Sequence, residues 1–86
     1  MVIYFSDDFD RQFESRLTQK EKIQVIDTID LFLDSPFHKD LRNHELKDKW
    51  AGYRSISVAG DLRLHFKVLG ENVYFVAVGT HEQLYK

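Results

Sequence analysis

Along the 86-residue chain the apolar positions follow two spacings, a helical one up to Leu33 and an alternating one from Tyr53 onward. The run Val2 to Phe5 is short and rich in β-formers, and Ser6-Asp7-Asp8 ends it, which predicts a first strand. Ser6 or Asp7 can cap the helix that follows, where Phe9, Phe13 and Leu17 stand at i, i+4 and i+8 as a core stripe. Thr18-Gln19-Lys20-Glu21 has the spacing of a capping box, so a second helix starts there. Val25, Ile29, Phe32 and Leu33 keep its period, Ile23, Ile26 and Leu31 widen its apolar face, and Pro36 closes it. Two helices in tight succession make a hairpin whose apolar face must cover something.

The second half supplies the cover. After a polar loop from Phe37 to Lys49, the stretches Tyr53 to Val58, Leu62 to Leu69 and Val73 to Val78 read as strands, divided by turns at Ala59-Gly60-Asp61 and Gly70-Glu71-Asn72. In the middle strand Leu62, Leu64, Phe66 and Val68 point one way, and Arg63, His65 and Lys67 the other, with Asp61 sharing their parity. Ile56 and Val58 share a face with Arg54, whereas Tyr53, Ser55 and Ser57 take the opposite one. The last strand is apolar on both faces. The predicted fold is α+β, with the order β-α-α-β-β-β. An N-terminal strand and an α-hairpin pack on one face of a small, mostly antiparallel four-stranded sheet, and residues 1–86 make a single domain. The other face stays partly open and polar.

Composition agrees with such a core. The chain is 43% hydrophobic and carries seven Phe, four Tyr and one Trp, enough apolar surface to fold without covalent staples. With no cysteine, disulfides, thiolate zinc sites and a catalytic thiol are excluded. No basic N-terminal region precedes a long apolar run, and no stretch suits a membrane span, so the cytoplasm is the expected compartment.

The formal charge of -2 hides an asymmetry. Between His38 and Lys67 seven Lys/Arg face four acids, a local balance of +3, and three of the four histidines lie there; the remainder is left at -5. A basic, histidine-containing segment on an acidic scaffold suits a phosphate-binding surface. No HxxxH or HExxH spacing and no glycine-rich phosphate loop occurs, which argues against a metal site and a nucleotide fold.

Several motifs carry a family resemblance. Leu41-Arg42-Asn43-His44-Glu45-Leu46, then Trp50-Ala51-Gly52-Tyr53-Arg54, Asp61 at the next turn, and Gly79-Thr80-His81-Glu82-Gln83-Leu84-Tyr85 at the end resemble the RelE/ParE superfamily of toxins from toxin-antitoxin pairs, and within it the YafQ branch. The resemblance implies a ribosome-dependent endoribonuclease that cuts mRNA in the ribosomal A site, needs no metal or other cofactor, and is held inactive by a cognate antitoxin. Free of antitoxin it is expected as a monomer or dimer. The branch's His-Asp-His-Phe set falls on His44, Asp61, His81 and, as a conservative change, Tyr85. Two positions depart from the branch: a further histidine falls at Ser57, and an arginine of the last strand at Ala77. Relatives of the same fold act instead by binding DNA gyrase, so a non-catalytic binding toxin, or a scaffold that only binds antitoxin, is the alternative.

RNA cleavage without metal needs a base for the ribose 2′-hydroxyl, an acid for the departing 5′-oxygen and cations for the charge on phosphorus. Histidine suits the first two tasks because it titrates near neutral pH. His81 is assigned as general acid and either His44 or Asp61 as general base, Asp61 otherwise orienting a histidine. Tyr85 stacks on a base or donates to phosphate. Arg63 and Lys67 are the expected phosphate clamp, with Arg54 as a further candidate. Arg42, Lys47 and Lys49 add long-range attraction to RNA. His65 is expected as a surface strand residue, His38 has no role, and Trp50 anchors its loop or holds an antitoxin segment.

Overall fold

Ser6 decides where the first strand ends and the first helix begins. In the computed structural model, which describes residues 1–86, β1 spans Ile3–Phe5 and α1 spans Asp7–Arg16. The Ser6 hydroxyl accepts the Phe9 N–H at 3.0 Å and donates to the Val76 carbonyl at 3.2 Å, while the Ser6 N–H reaches the Phe75 carbonyl at 3.0 Å. One residue thus caps a helix and ties that helix to a distant strand. The capping box at Thr18 forms as its spacing predicts and starts α2, Gln19–Asp34.

The sheet has five strands rather than the four expected. A 3-10 turn at Lys39–Leu41 leads to β2 (His44–Glu45), a second at Asp48–Trp50 leads to β3 (Arg54–Ala59), β4 (Leu62–Leu69) and β5 (Asn72–Thr80), and a last short helix, α3, spans His81–Leu84. The spatial order is β1-β5-β4-β3-β2; β1 runs parallel to β5 and every other pair is antiparallel. The additional strand is β2. Its two residues lie inside the polar loop, too short and too polar for alternation to reveal, and they are held by pairing with Arg54 and Ser55.

The helices cover the face that carries Ile56, Leu64 and Phe66. Phe32 of α2 meets Phe66 at 5.0 Å and Phe75 at 5.7 Å between ring centroids, both in edge-on geometry, and Phe9 joins Phe75 from α1. Each fully buried side chain of this size contributes about 1.5–3 kcal/mol. Ile23, Ile26 and Leu33, which the apolar spacing predicts as part of that face, are about half exposed. A helix lying on a sheet buries one stripe, here Val25, Thr28 and Phe32, and the widening residues fall beside it.

The last strand changes face partway. Phe66 pairs with Phe75, but His65 pairs with Ala77 and Leu64 with Val78, so Val76 is an extra residue, a β-bulge. It lets Phe75 and Val78 both enter the helix-covered core while Ala77 turns to the opposite side, and this explains why the strand reads as apolar throughout. The Val76 carbonyl takes the Ser6 hydroxyl instead of a ladder partner. Beyond the end of β1, the exposed edge of β5 is covered by side chains of α1: Gln12 accepts the Val78 N–H at 2.9 Å and Arg16 donates to the Val78 carbonyl at 3.0 Å. On the open side, one transverse row crosses four strands: His44, Ser55, His65 and Ala77.

Candidate active site on the open sheet face

A cavity of about 340 Å³ opens over this row and is lined by Arg42, His44, Leu46, Ser55, Arg63, His81 and Tyr85. Arg42 closes the 3-10 turn in the left-handed conformation, φ 51°, and its carbonyl contacts the His44 Nδ1 at 2.7 Å. A carbonyl can only accept, so Nδ1 carries the hydrogen and, in the neutral ring, Nε2 keeps its lone pair. His44 is therefore held in the tautomer that can receive a proton at Nε2.

Asp61 reaches the same region from the β3–β4 turn, in which Gly60 takes φ 54°. One carboxylate oxygen accepts the His81 N–H at 3.1 Å, and the other lies 3.9 Å from the Arg63 Nε. The carboxylate is thus engaged on both oxygens. Arg63 is also held from its far side, where Nη1 donates to the Ser57 hydroxyl at 2.8 Å. At Ser57, where the resemblance points to a histidine, the side chain fixes the guanidinium beside the cavity.

The end of the chain is built as a small bracket. Thr80 and Gln83 form a reciprocal capping box at the start of α3, with bonds of 3.3 and 2.9 Å. A Cβ at Gly79 would stand 2.8 Å from the Arg16 guanidinium and 2.9 Å from the Gln83 side-chain oxygen, so a side chain there must displace the end of one or both. Leu84 is buried, and its carbonyl accepts the Trp50 indole N–H at 3.0 Å. Trp50 is the anchor of its loop. His81 and Tyr85, one turn apart on α3, stack with centroids 4.5 Å apart and an interplanar angle of 25°.

His65 corrects the expectation of a surface residue. Its side chain points to the open face, as alternation predicts, but it is fully buried between Trp50, 4.5 Å away at 83°, and Tyr85, 5.8 Å away at 72°. Burial, reinforced by the positive charges that His44, Arg63 and His81 can bring, lowers its pKa to about 4. It is neutral at physiological pH. Neither ring nitrogen has a hydrogen-bond partner, nor does the buried Ser55 hydroxyl beside it. Alternation assigns a face, but not the cover that a distant Trp and the chain end bring to it.

Other candidates lie elsewhere. Arg54 pairs with Phe66 and faces the helix side, where it donates to Asn43 at 2.8 Å, lies 3.5 Å from Glu45 and covers the Phe37 ring. Its predicted face was right; a phosphate on the open side is out of its reach. Lys67 sits further along the strand with its ammonium 5.5 Å from the Tyr53 ring centre. Lys49 donates to the Lys86 carbonyl at 2.7 Å, and Lys47 is exposed at the start of the Asp48–Trp50 turn. The cavity therefore brings together Arg42, His44, Arg63, His81 and Tyr85 with Asp61 adjoining, and leaves Arg54, Lys47, Lys49 and Lys67 outside it. No three His, Asp or Glu side chains converge closely enough to hold a metal ion.

With this geometry in place, the family model described as bacterial toxin of type II toxin-antitoxin system, YafQ, matches residues 1–86. The chain belongs to the YafQ toxin family. No curated protein sequence matches it. Among solved structures, the YafQ-family fold seen here resembles YafQ from E. coli strain BL21(DE3), with TM-score 0.75 and 24% identity over 98% of this chain and 97% of that one. The YafQ of the E. coli DinJ-YafQ complex aligns with TM-score 0.72 and 25% identity over 98% and 97%. A YoeB/ParE toxin from Agrobacterium tumefaciens gives 0.77 and 20% over 94% and 99%, a likeness of fold.

Proposed function

We propose that this YafQ-family toxin is a ribosome-dependent endoribonuclease that cleaves mRNA and so stops translation, acting as a single domain over residues 1–86. The observation that carries the reading is the pairing, across one cavity, of His44 with a free Nε2 and His81 with an uncommitted imidazole, beside the Arg63 guanidinium. His44 takes the proton of the ribose 2′-hydroxyl as that oxygen attacks phosphorus. The bond from phosphorus to the 5′-oxygen breaks, and His81 protonates the leaving oxygen, giving a 2′,3′-cyclic phosphate and a 5′-hydroxyl. Asp61 is favoured as a positioning carboxylate over the alternative of general base, because one oxygen already accepts the backbone N–H of His81 and the other faces the Arg63 guanidinium at 3.9 Å. Arg63 and Arg42 hold the phosphate charge, and Tyr85 offers a ring for a base to stack on.

No step of this scheme requires a metal or other cofactor. The occurrence of a DinJ-YafQ complex supports a cognate antitoxin as the partner that holds the toxin inactive, and the ribosome and mRNA in the cytoplasm are its targets. The test is to add the purified protein to a translation extract and map mRNA ends. Cuts within translated codons that vanish in His81→Ala are expected. Intact message together with inhibited DNA supercoiling would move the reading to a gyrase-binding toxin.

A further inference from the structure

His65 is the buried polar group that the scheme leaves unused. It stands at the centre of the row His44, Ser55, His65 and Ala77, directly beneath the C-terminal helix. Two perpendicular ring contacts grip it, from Trp50 and from Tyr85, and Trp50 in turn holds the Leu84 carbonyl. The three rings and that hydrogen bond form a closed bracket around α3. On β5 the residue opposite His65 is the small, buried Ala77, so the imidazole and not the last strand fills the space under Tyr85.

Stability does not account for an imidazole here. Both ring nitrogens are buried without partners, and so is the Ser55 hydroxyl, an arrangement in which an apolar side chain is the more stable choice. Because burial keeps the ring neutral, it does not compete with His44 for the substrate proton. What the ring supplies is a flat aromatic surface held nearly perpendicular to a ring on each side, a geometry that constrains the direction of both neighbours.

We propose that His65 is a positioning residue, which sets Tyr85 and, through the stacked pair, His81 over the cavity by standing edge-on between Trp50 and Tyr85. The activity part of this proposal rests on the nuclease reading; the geometric part does not. On this view the chain carries a third histidine in its site as a wedge, not as an acid or base.

The test compares His65→Ala, His65→Leu and His65→Phe in the full chain, by mapping cleavage in a translating extract and by recording nuclear Overhauser contacts between the His81 and Tyr85 rings. In the Ala and Leu variants those contacts are expected to disappear and kcat to fall by at least about tenfold, with KM within about twofold, as misplacement of a catalytic group does. In His65→Phe, which keeps a flat ring, the contacts persist and kcat stays within about threefold. If His65→Ala does not fold by circular dichroism, His65→Leu, which fills the volume without a ring edge, carries the comparison. Ala or Leu variants that keep the His81–Tyr85 contacts and the wild-type rate overturn the proposal, and so does a His65→Phe variant that loses both. A wild-type protein that cuts no message overturns the nuclease reading instead, and the ring contacts then decide the positioning role alone.

Discussion

The two faces of one sheet are stabilised by opposite means. On the helix side, Phe32, Phe66 and Phe75 interlock with no polar atom among them, and Leu64 and Ile56 are fully buried beside them. On the open side, burial is achieved with an imidazole and a serine hydroxyl that lack partners, under a four-residue helix tied down by hydrogen bonds. The first face makes the fold, and the buried hydroxyl on it, that of Thr28, is satisfied by the Gln24 carbonyl at 2.8 Å. The second is assembled at some loss of stability from residues whose chemistry would be wasted in a core, so sensitivity to substitution should divide cleanly between unfolding and activity.

The largest expected effect breaks the helix side. Phe66→Ala, which removes a fully buried ring from the centre of the aromatic cluster, should cost about 3–5 kcal/mol in urea unfolding. A loss below about 1 kcal/mol would mean that the cluster is not the core. On the open side, His44→Ala should leave unfolding within about 0.5 kcal/mol of wild type, because the ring is exposed, yet lower cleavage by about 10²–10⁴-fold. Cleavage at the wild-type rate in both His44→Ala and Asp61→Ala would remove the proposed site while leaving the fold intact.

His65 sharpens the comparison through pH. Its pKa is about 4 in the folded protein and about 6.5 in the unfolded chain, so the unfolded state binds the proton first as pH falls. Its contribution to stability is complete above pH about 6.5, declines through the interval and levels off below pH about 4, a total of about 3 kcal/mol. Urea titrations of wild type and His65→Leu across that range should diverge accordingly; parallel curves would show that the ring is not held neutral. The smallest expected effect is Trp50→Phe, which keeps an aromatic contact to His65 but loses the hydrogen bond to the Leu84 carbonyl, at about 1 kcal/mol. Faster amide exchange at Tyr85, whose N–H closes α3 on the His81 carbonyl, would locate that loss in the C-terminal helix.

The first two helices, their caps and four of the sheet's five strands were legible because each is set by local spacing: Thr18 with Glu21, Phe9 with Phe13, and the alternation of Leu62 to Val68. The second strand was not, since two polar residues in a loop become a strand only through their pairing with Arg54 and Ser55 of the next strand. The cavity divides along the same line. His44, Asp61, His81 and Tyr85 could be named from motifs, and alternation placed Arg63 on the open face. Alternation also set Arg54 apart, on the face of Ile56, whereas the separation of Lys67 depends on which strand neighbour it meets, and the enclosure of His65 on a tryptophan and a tyrosine from opposite ends of the second half. These last two are facts of assembly, which no local period encodes.

The bulge at Val76 has a consequence for how such a sequence can drift. Because side chains alternate along a strand, straightening the bulge with Val76 retained would send Val78 outward and Ala77 into the core, and would carry Thr80 and the helix it caps onto the wrong side of the sheet, whereas deleting Val76 would restore a regular ladder with Ala77 and Val78 on their present faces. The extra residue is therefore the one place in this segment where a deletion leaves interior and cavity unexchanged, at the loss of the Val76 carbonyl that holds the Ser6 hydroxyl. Over evolutionary time this short segment should therefore be able to lose the extra residue without changing which side chains face the core and which the cavity.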